Sequence, residues 1–363
     1  MENSKTKIDL AIIGGGIVGL QVAYKALLRH PTWQVVLFEK ERYLGEHSSS
    51  RNSGVIHAGL YYAEGSLKHR LCLEGNLWWK EHAPDWNIPY LQCGKYIIAR
   101  NFDELPSLEA LFQKAKLNSV PGLRRAKNDE VLALKEKLHC VAALYSPTTA
   151  IIDVAEAINV FKNKVEKMGA TILPFNPILN LEKDQEHYLL ETVTEKITAK
   201  YVVNCAGLGA IQLRKKLGLN ELENSLVKGT YLKSSQRNEF KTLIYPLPQK
   251  DLGGLGIHLT FDFGDQMKFG PNTEPVSDVS YHTIEQSLIS MREAVTSLFK
   301  SVDPGRLQLD YCGIRPKIQI EGSTYGDFWI RSPLPHYIEC CGIESPGLTA
   351  SPAIARFLTE SWL

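Results

Sequence analysis

The chain has no surplus of either charge: 41 Lys and Arg stand against 40 Asp and Glu among 363 residues. A near-neutral surface exerts no general pull on nucleic acid or anionic lipid. Paired cysteine motifs are missing as well. The seven cysteines (Cys72, Cys93, Cys140, Cys205, Cys312, Cys340 and Cys341) are odd in number and form no Cys-x-x-Cys. That excludes a zinc ribbon and a thioredoxin-type motif, and it fits a reducing compartment. The adjacent Cys340 and Cys341 read as apolar strand residues facing opposite sides. Neither His-Glu-x-x-His nor Gly-x-Ser-x-Gly occurs, so no metal site is expected and the nucleophile-elbow hydrolases are excluded. Met1 to Lys7 is polar, and the apolar stretch after it ends in glycines. Neither a secretory signal nor a spanning helix is expected, and a cytoplasmic location follows.

What is present is the composition of an ordinary globular protein, 44% apolar and 22% charged, long enough for two or three domain-sized units. Ile8 to Ile13 is an apolar, β-branched run broken by Gly14-Gly15-Gly16. Helical composition follows from Ile17 to Arg29, and a short apolar strand from Val35 to Phe38. Within this unit Gly14, Gly16 and Gly19 form Gly-x-Gly-x-x-Gly. Gly14 permits a tight turn, Gly16 lets backbone approach a pyrophosphate, and Gly19 allows close packing of helix on strand. The N–H groups of Ile17 and Val18 open the helix toward the phosphates. Glu39, beside Lys40, ends the second strand, where a carboxylate accepts from ribose hydroxyls and repels a 2′-phosphate. A glycine triplet alone is an ordinary turn. In register with strand, helix, strand and acid, it predicts an ADP-bearing dinucleotide.

Further along, Leu91 to Arg100 reads as a strand, Pro106 to Leu117 as a helix, and Asp153 to Met168 as an amphipathic helix ended by Gly169. Ala170–Leu173, Ile178–Glu182, Tyr188–Val193 and Lys196–Ala199 suggest an antiparallel meander. Tyr201–Cys205 reads as a buried strand followed by a helix to about Leu217. Leu226 to Phe269 is strand-like, Thr283 to Phe299 helical, and Gly342 to Gly347 a loop before a final helix from about Ser351. The fold expected is α/β (α+β overall): a Rossmann-like domain over 1–92, 148–222 and 306–363, with a discontinuous antiparallel-sheet substrate domain over 93–147 and 223–305. The terminal stretch Arg356 to Leu363 is amphipathic. A docked helix is the plainer reading, and peripheral contact with a membrane's inner face the alternative.

After the first βαβ unit the chain enters Glu46 to Gly54, polar and small, instead of continuing the alternation of a nicotinamide domain. Such a segment suits wrapping around an extended cofactor. The run Asn52-Ser53-Gly54-Val55-Ile56-His57-Ala58-Gly59-Leu60-Tyr61-Tyr62, with Leu71-Cys72 and Gln92-Cys93-Gly94-Lys95, resembles the L-2-hydroxyglutarate dehydrogenase/oxidase family. That family lies within the D-amino-acid oxidase-like FAD enzymes. Asn204-Cys205-Ala206-Gly207, Gly256-Ile257-His258-Leu259-Thr260, Gly313-Ile314-Arg315-Pro316-Lys317 and Gly342 to Thr349 continue the likeness across nearly the whole chain. The resemblance implies two domains and a non-exchanging FAD, its ring facing the antiparallel sheet. Gly14, Gly16, Ile17, Val18, Gly19, Glu39 and Lys40 would hold the ADP half. Ser49, Ser50, Arg51, Asn52, Ser53, Gly54, Ala206, Gly207, Gly313, Ile314, Glu344, Ser345, Pro346, Gly347, Leu348 and Thr349 would surround the pyrophosphate, ribityl chain and ring. Pro316-Lys317 departs from the Ala-Gln pair of some members, which touches substrate more than cofactor.

Oxidising a 2-hydroxy acid removes a hydride from Cα and the hydroxyl proton, so a base within hydrogen-bond reach is required; an amine has no such need. His57 and His258 are the candidates, with the choice between them open. Arg315 offers a fork for a carboxylate, and Lys317 shares its strand face. A dicarboxylate asks for further positive charge, for which Lys228, Lys268 and Arg51 are unranked. Tyr62 and Tyr231 are possible donors to a carboxylate. The reaction expected is oxidation of an L-2-hydroxy acid, L-2-hydroxyglutarate foremost, with electrons passing on to a quinone or oxygen. An amino-acid or secondary-amine oxidase of the same fold is the first alternative, and a non-catalytic FAD-holding subunit the second.

Overall fold

Buried on both faces, the four residues Val35–Phe38 pair in parallel with Thr6–Ile13, whose other edge pairs in parallel with Lys196–Asn204. Thr171–Leu173 extends this sheet beyond Val35–Phe38, and Tyr337–Cys341 extends it beyond Lys196–Asn204, both again parallel. Strands covered on both sides read as continuous apolar runs, which is why the opening segment was legible. The computed structural model describes residues 6–248 and 256–363.

The chain divides into two units, Met1–Ser50 with Val154–Leu226 and Arg315–Leu363, and Arg51–Asp153 with Val227–Ile314. In the first, the helix Ile17–Arg29 is packed by Val154–Lys167 and by the terminal helix Gly347–Trp362. Gln21 Nε2 donates to Ser351 Oγ at 2.8 Å, and a His30 Nε2 contact with the Leu363 carbonyl at 2.8 Å holds the far end. The C-terminal stretch is thus docked on its own unit. That helix begins at Gly347, four residues before the expected start, so Gly347 to Thr349 form its first turn instead of a loop. Thr171–Leu173 also differs from expectation, pairing into the parallel sheet; the antiparallel meander is Asn180–Asp184, His187–Glu191 and Lys196–Asn204.

The second unit is built on a sheet in which Ala142–Ser146, Lys95–Ala99, Leu243–Pro246, His258–Phe261 and Met267–Gly270 are successive neighbours. Among these five strands the pairings are antiparallel except one: Lys95–Ala99 and Leu243–Pro246 run parallel. One core of this unit gathers Ile98, Leu259, Met267, Phe269 and Phe299, and another gathers Ala58, Leu60, Ile97, Ala99 and Phe112. The strand-like stretch 226–269 resolves into separate strands, and its part from 249 to 255 lies outside the described residues. A helix unsuspected from periodicity, Leu67–Asp85, is capped by Ser66, whose side chain accepts the His69 N–H.

The breaks fall at other points than 92, 147, 222 and 305. Val55–Ile56 pairs antiparallel with Ala150–Ile152, which also takes Tyr90–Leu91, while Ala58 and Leu60 sink into the second unit's core. Segment 51–92 therefore packs with the unit that follows it. Alternation within a segment does not reveal which sheet it joins.

Candidate active site

In the first unit the glycine turn is set by contacts that leave no room for a side chain. Gly14 sits at φ +111°, and a Cβ there would fall 2.3 Å from the Cys205 carbonyl oxygen. A Cβ on Gly19 would fall 2.0 Å from the Gly14 oxygen, and one on Gly16 2.8 Å from Ser49 Oγ. Ser49 Oγ accepts the Ile17 N–H at 3.0 Å, satisfying one of the orphan donors of the helix. The N–H groups of Val18 and Gly19 complete that first turn and carry the positive end of the helix dipole.

Glu39, nearly buried at the end of its strand, accepts from the Gly15 N–H at 2.8 Å through one oxygen and from the Glu41 N–H at 2.9 Å through the other. Two N–H bonds fix the carboxylate's place, and its remaining lone pairs are suited to the hydroxyls of a ribose. Glycine at 15 is required by the same closeness, since a Cβ would meet Leu44 Cδ2 at 2.5 Å. Gly14, Gly16, Glu39, Lys40, Ser49, Ala206 and Gly207 all line one cavity of about 210 Å³. Ile17 is buried and Val18 half-buried in the helix behind. Ser48, within the segment expected to wrap the cofactor, lines the cavity too, as do Cys205 and Gln212, and Gln212 escaped the sequence reading.

Other expected cofactor residues of the first unit lie at the terminal helix. Glu344, exposed Ser345 and Pro346 precede it, Gly347 and Leu348 open it, and Thr349 is fully buried. Exposed Ser50 donates its N–H to the carbonyls of Gly45 and His47. Arg315 and Lys317 stand on one face of Leu307–Ile320, with Ile314 and Ile318 turned the other way. Arg315 Nη1 lies 3.6 Å from Glu344 Oε2, so its charge is shared with a carboxylate.

The second unit holds the rest. Arg51 stacks on the Tyr281 ring at 3.9 Å, and the Asn52 carbonyl accepts from the Tyr311 hydroxyl at 2.7 Å. Asn52 Oδ1 accepts the Gly54 N–H across half-buried Ser53, holding Gly54 at φ +63°. A Cβ on Gly313 would strike the Arg51 carbonyl oxygen at 2.0 Å, so Gly313 and Arg51 meet backbone to backbone, with Ile314 buried beside them.

His57 is held by its main chain, its carbonyl accepting from Asn76 Nδ2 at 3.0 Å. Tyr62 is placed similarly, its carbonyl accepting from Asn118 Nδ2. His258 is 4% exposed. Its Nδ1 lies 3.0 Å from the Gly256 carbonyl, and its ring stacks on Tyr245 at 3.9 Å and 18°. A carbonyl only accepts, so Nδ1 carries a proton, and in the neutral ring Nε2 holds the lone pair. The unranked cations all have partners: Lys228 Nζ donates to the His282 carbonyl, Lys268 pairs with Asp262 at 3.1 Å, and Arg51 has Tyr281. Tyr231 stacks on Tyr311.

Lys95 was not among the expected site residues. It is fully buried, and desolvation pushes its amine down to about 7. The signal lay in the strand itself, where Lys95 takes an inward position with Ile97 and Ala99, two places that demand apolar side chains.

Residues 9–361 match the DAO family, described as FAD dependent oxidoreductase. The chain belongs to this family. Its cofactor is FAD, and the cavity that Gly14, Gly16 and Glu39 shape without side-chain obstruction fits the ADP half of that molecule. This FAD dependent oxidoreductase is 31% identical to the mitochondrial L-2-hydroxyglutarate dehydrogenase of Arabidopsis thaliana, across 99% of the chain and 84% of that protein. It is 33% identical to the Homo sapiens protein of that name across 74% of the chain, a match spanning 61% of the human protein's length. Among solved structures, L-alpha-glycerophosphate oxidase from Mycoplasma pneumoniae with FAD bound superposes with a TM-score of 0.88 at 23% identity, covering 98% of this chain and 95% of that one. Glycine oxidase from Geobacillus kaustophilus gives 0.83 at 17%, covering 99% and 96%. At those identities the likeness is one of fold. Among the described residues no helix is long and apolar enough to cross a membrane, and no cluster of His, Cys, Asp or Glu could hold a metal ion.

Proposed function

We propose that the chain oxidises an L-2-hydroxy acid, L-2-hydroxyglutarate foremost, to the 2-oxo acid, with His258 as the base. The substrate follows the relatives: the named L-2-hydroxyglutarate dehydrogenases reach 31% identity over almost the whole chain. The observation that carries the chemistry is the Nδ1 contact of His258 with the Gly256 carbonyl, which selects the tautomer whose Nε2 is an acceptor. Bound FAD supplies the two-electron oxidising power. His258 takes the hydroxyl proton at Nε2, becoming an imidazolium that the Gly256 carbonyl continues to orient. Stacking on Tyr245 fixes the ring plane, so the lone pair keeps one direction. Arg315 and Lys317 supply positive charge for substrate carboxylates. Electrons leave to a quinone or to oxygen.

The test is anaerobic mixing of the purified flavoprotein with L- and D-2-hydroxy acids and with amino acids. L-2-Hydroxyglutarate should bleach the flavin absorbance, and His258→Asn should slow the bleaching by about 100-fold or more, the usual contribution of a general base. Bleaching by amino acids alone would move the reading to amine oxidation.

A further inference from the structure

Three adjacent strands of the second unit place Lys95, Tyr245 and His258 on one sheet face. Lys95 pairs with Leu243 and Ile97 with Tyr245 in the parallel register, so Lys95 and Tyr245 are diagonal neighbours. Ile244 pairs with Leu259 in the antiparallel register, which brings Tyr245 opposite His258. The Tyr245 ring accordingly touches both: His258 stacks on it at 3.9 Å, and Lys95 Nζ stands 4.5 Å from its centroid. Lys95 Nζ also stands 4.9 Å from the Tyr61 centroid and has no hydrogen-bond acceptor among the described residues. An amine buried among rings instead of carboxylates keeps any charge it carries unneutralised and unscreened.

We propose that Lys95 is a positioning residue that sets the basicity of His258 through the ring of Tyr245. The proposal rests on the reading of His258 as the base. A protonated amine on a ring shared with the imidazole disfavours a second positive charge there, so His258 stays a free base to lower pH. The two charges lie within roughly 8 Å, where an effective dielectric near 20 makes the coupling worth about one and a half pH units. Among the described residues, the other titratable groups around the pair do not cancel it. Tyr61 and Tyr245 carry no charge near neutrality, and burial pushes the Cys72 thiol up to about 12. Lys268, across from Thr260 on the same face as His258, is paired with Asp262.

The experiment is a titration of His258 in the holoenzyme by NMR with histidine labelled at Cε1, its signal assigned by its loss in His258→Asn. In Lys95→Met, which keeps the length and removes the charge, His258 should titrate about one and a half units higher than in the wild type. The acid limb of the anaerobic flavin-reduction rate should move upward by the same amount, with substrate KM much less affected. Tyr245→Leu, which removes the shared ring, should change the same titration. An unmoved His258 titration in Lys95→Met overturns the proposal. A changed KM with an unmoved acid limb overturns it too, by making Lys95 a substrate contact. Normal flavin reduction in His258→Asn would instead remove His258 as the base, an outcome that the titration does not share.

Discussion

A Cβ on Gly19 would lie 2.0 Å from the carbonyl oxygen of Gly14, a distance no pair of such atoms tolerates. The first helix thus crosses the end of the first strand with backbone against backbone. Gly19→Ala must push the two apart and deform the turn expected to face the pyrophosphate. Overpacking of this kind costs about 1–3 kcal/mol. The expected outcome is a lower melting temperature and purified protein with much less bound flavin, read as the ratio of absorbance at the flavin band to that at 280 nm. A variant as yellow and as stable as the wild type would contradict the packing.

Ser49 is a gentler probe of the same place. Ser49→Ala removes the acceptor of the Ile17 N–H and a hydroxyl at the mouth of the helix. Loss of such a helix-terminal acceptor costs about 1 kcal/mol. Apoprotein of this variant should fold and rebind FAD roughly five- to tenfold more weakly in a fluorescence-quenching titration, in proportion to that loss.

Arg315 should matter to binding more than to chemistry. Arg315→Ala is expected to raise KM for a dicarboxylate by at least about tenfold, the worth of a charge-assisted contact of about 1.5–3 kcal/mol. Glu344→Gln, which frees Arg315 from its neighbour at 3.6 Å, should instead lower KM. Initial rates against substrate concentration decide the point, and opposite signs are the signature.

Lys95 leads to a pH dependence of stability. Its amine is pushed down to about 7 in the folded chain, against about 10.4 in an unfolded one. Between those values the unfolded state binds more protons, so stability rises with pH across the window. Below pH 7 the buried amine costs on the order of 4 kcal/mol. Lys95→Met should therefore stabilise the protein most at pH 6 and hardly at all near pH 10.5. Urea unfolding at the two pH values measures the difference.

Arg214 and Glu339 form an ion pair 3.0 Å apart with neither side chain exposed, and Trp329 Nε1 donates to the same carboxylate. Glu339→Gln leaves the buried guanidinium with Glu221 alone among these carboxylates. Breaking a buried pair from one side costs about 3–5 kcal/mol. The first unit should unfold at lower temperature, followed by calorimetry of the holoenzyme.

Local chemistry was legible where one segment contains its own reason. The glycines 14, 16 and 19, the acid at 39 and the alternation that sets Arg315 and Lys317 on one face needed only neighbours in the chain. Which unit claims residues 51–92 was not legible, because that rests on Val55–Ile56 finding Ala150–Ile152, almost a hundred residues away. The terminal helix was placed four residues late, since Gly347 and Pro346 look like loop residues until the helix is seen docked on Ile17–Arg29. The parallel pairing of Lys95–Ala99 with Leu243–Pro246 gives no sign in either strand.

What the amino acids determined alone is the glycine turn, the helix start and the strand-end acid at 39, since these are short-range structures with few conformations open to them. What only the tertiary structure decided is the company each side chain keeps. Pairing between distant strands put Tyr245 between Lys95 and His258, and burial there, not anything in the neighbouring residues, turned an ordinary lysine into an amine near neutrality. Register between remote strands has no short-range cause, so it is written in the folded packing alone.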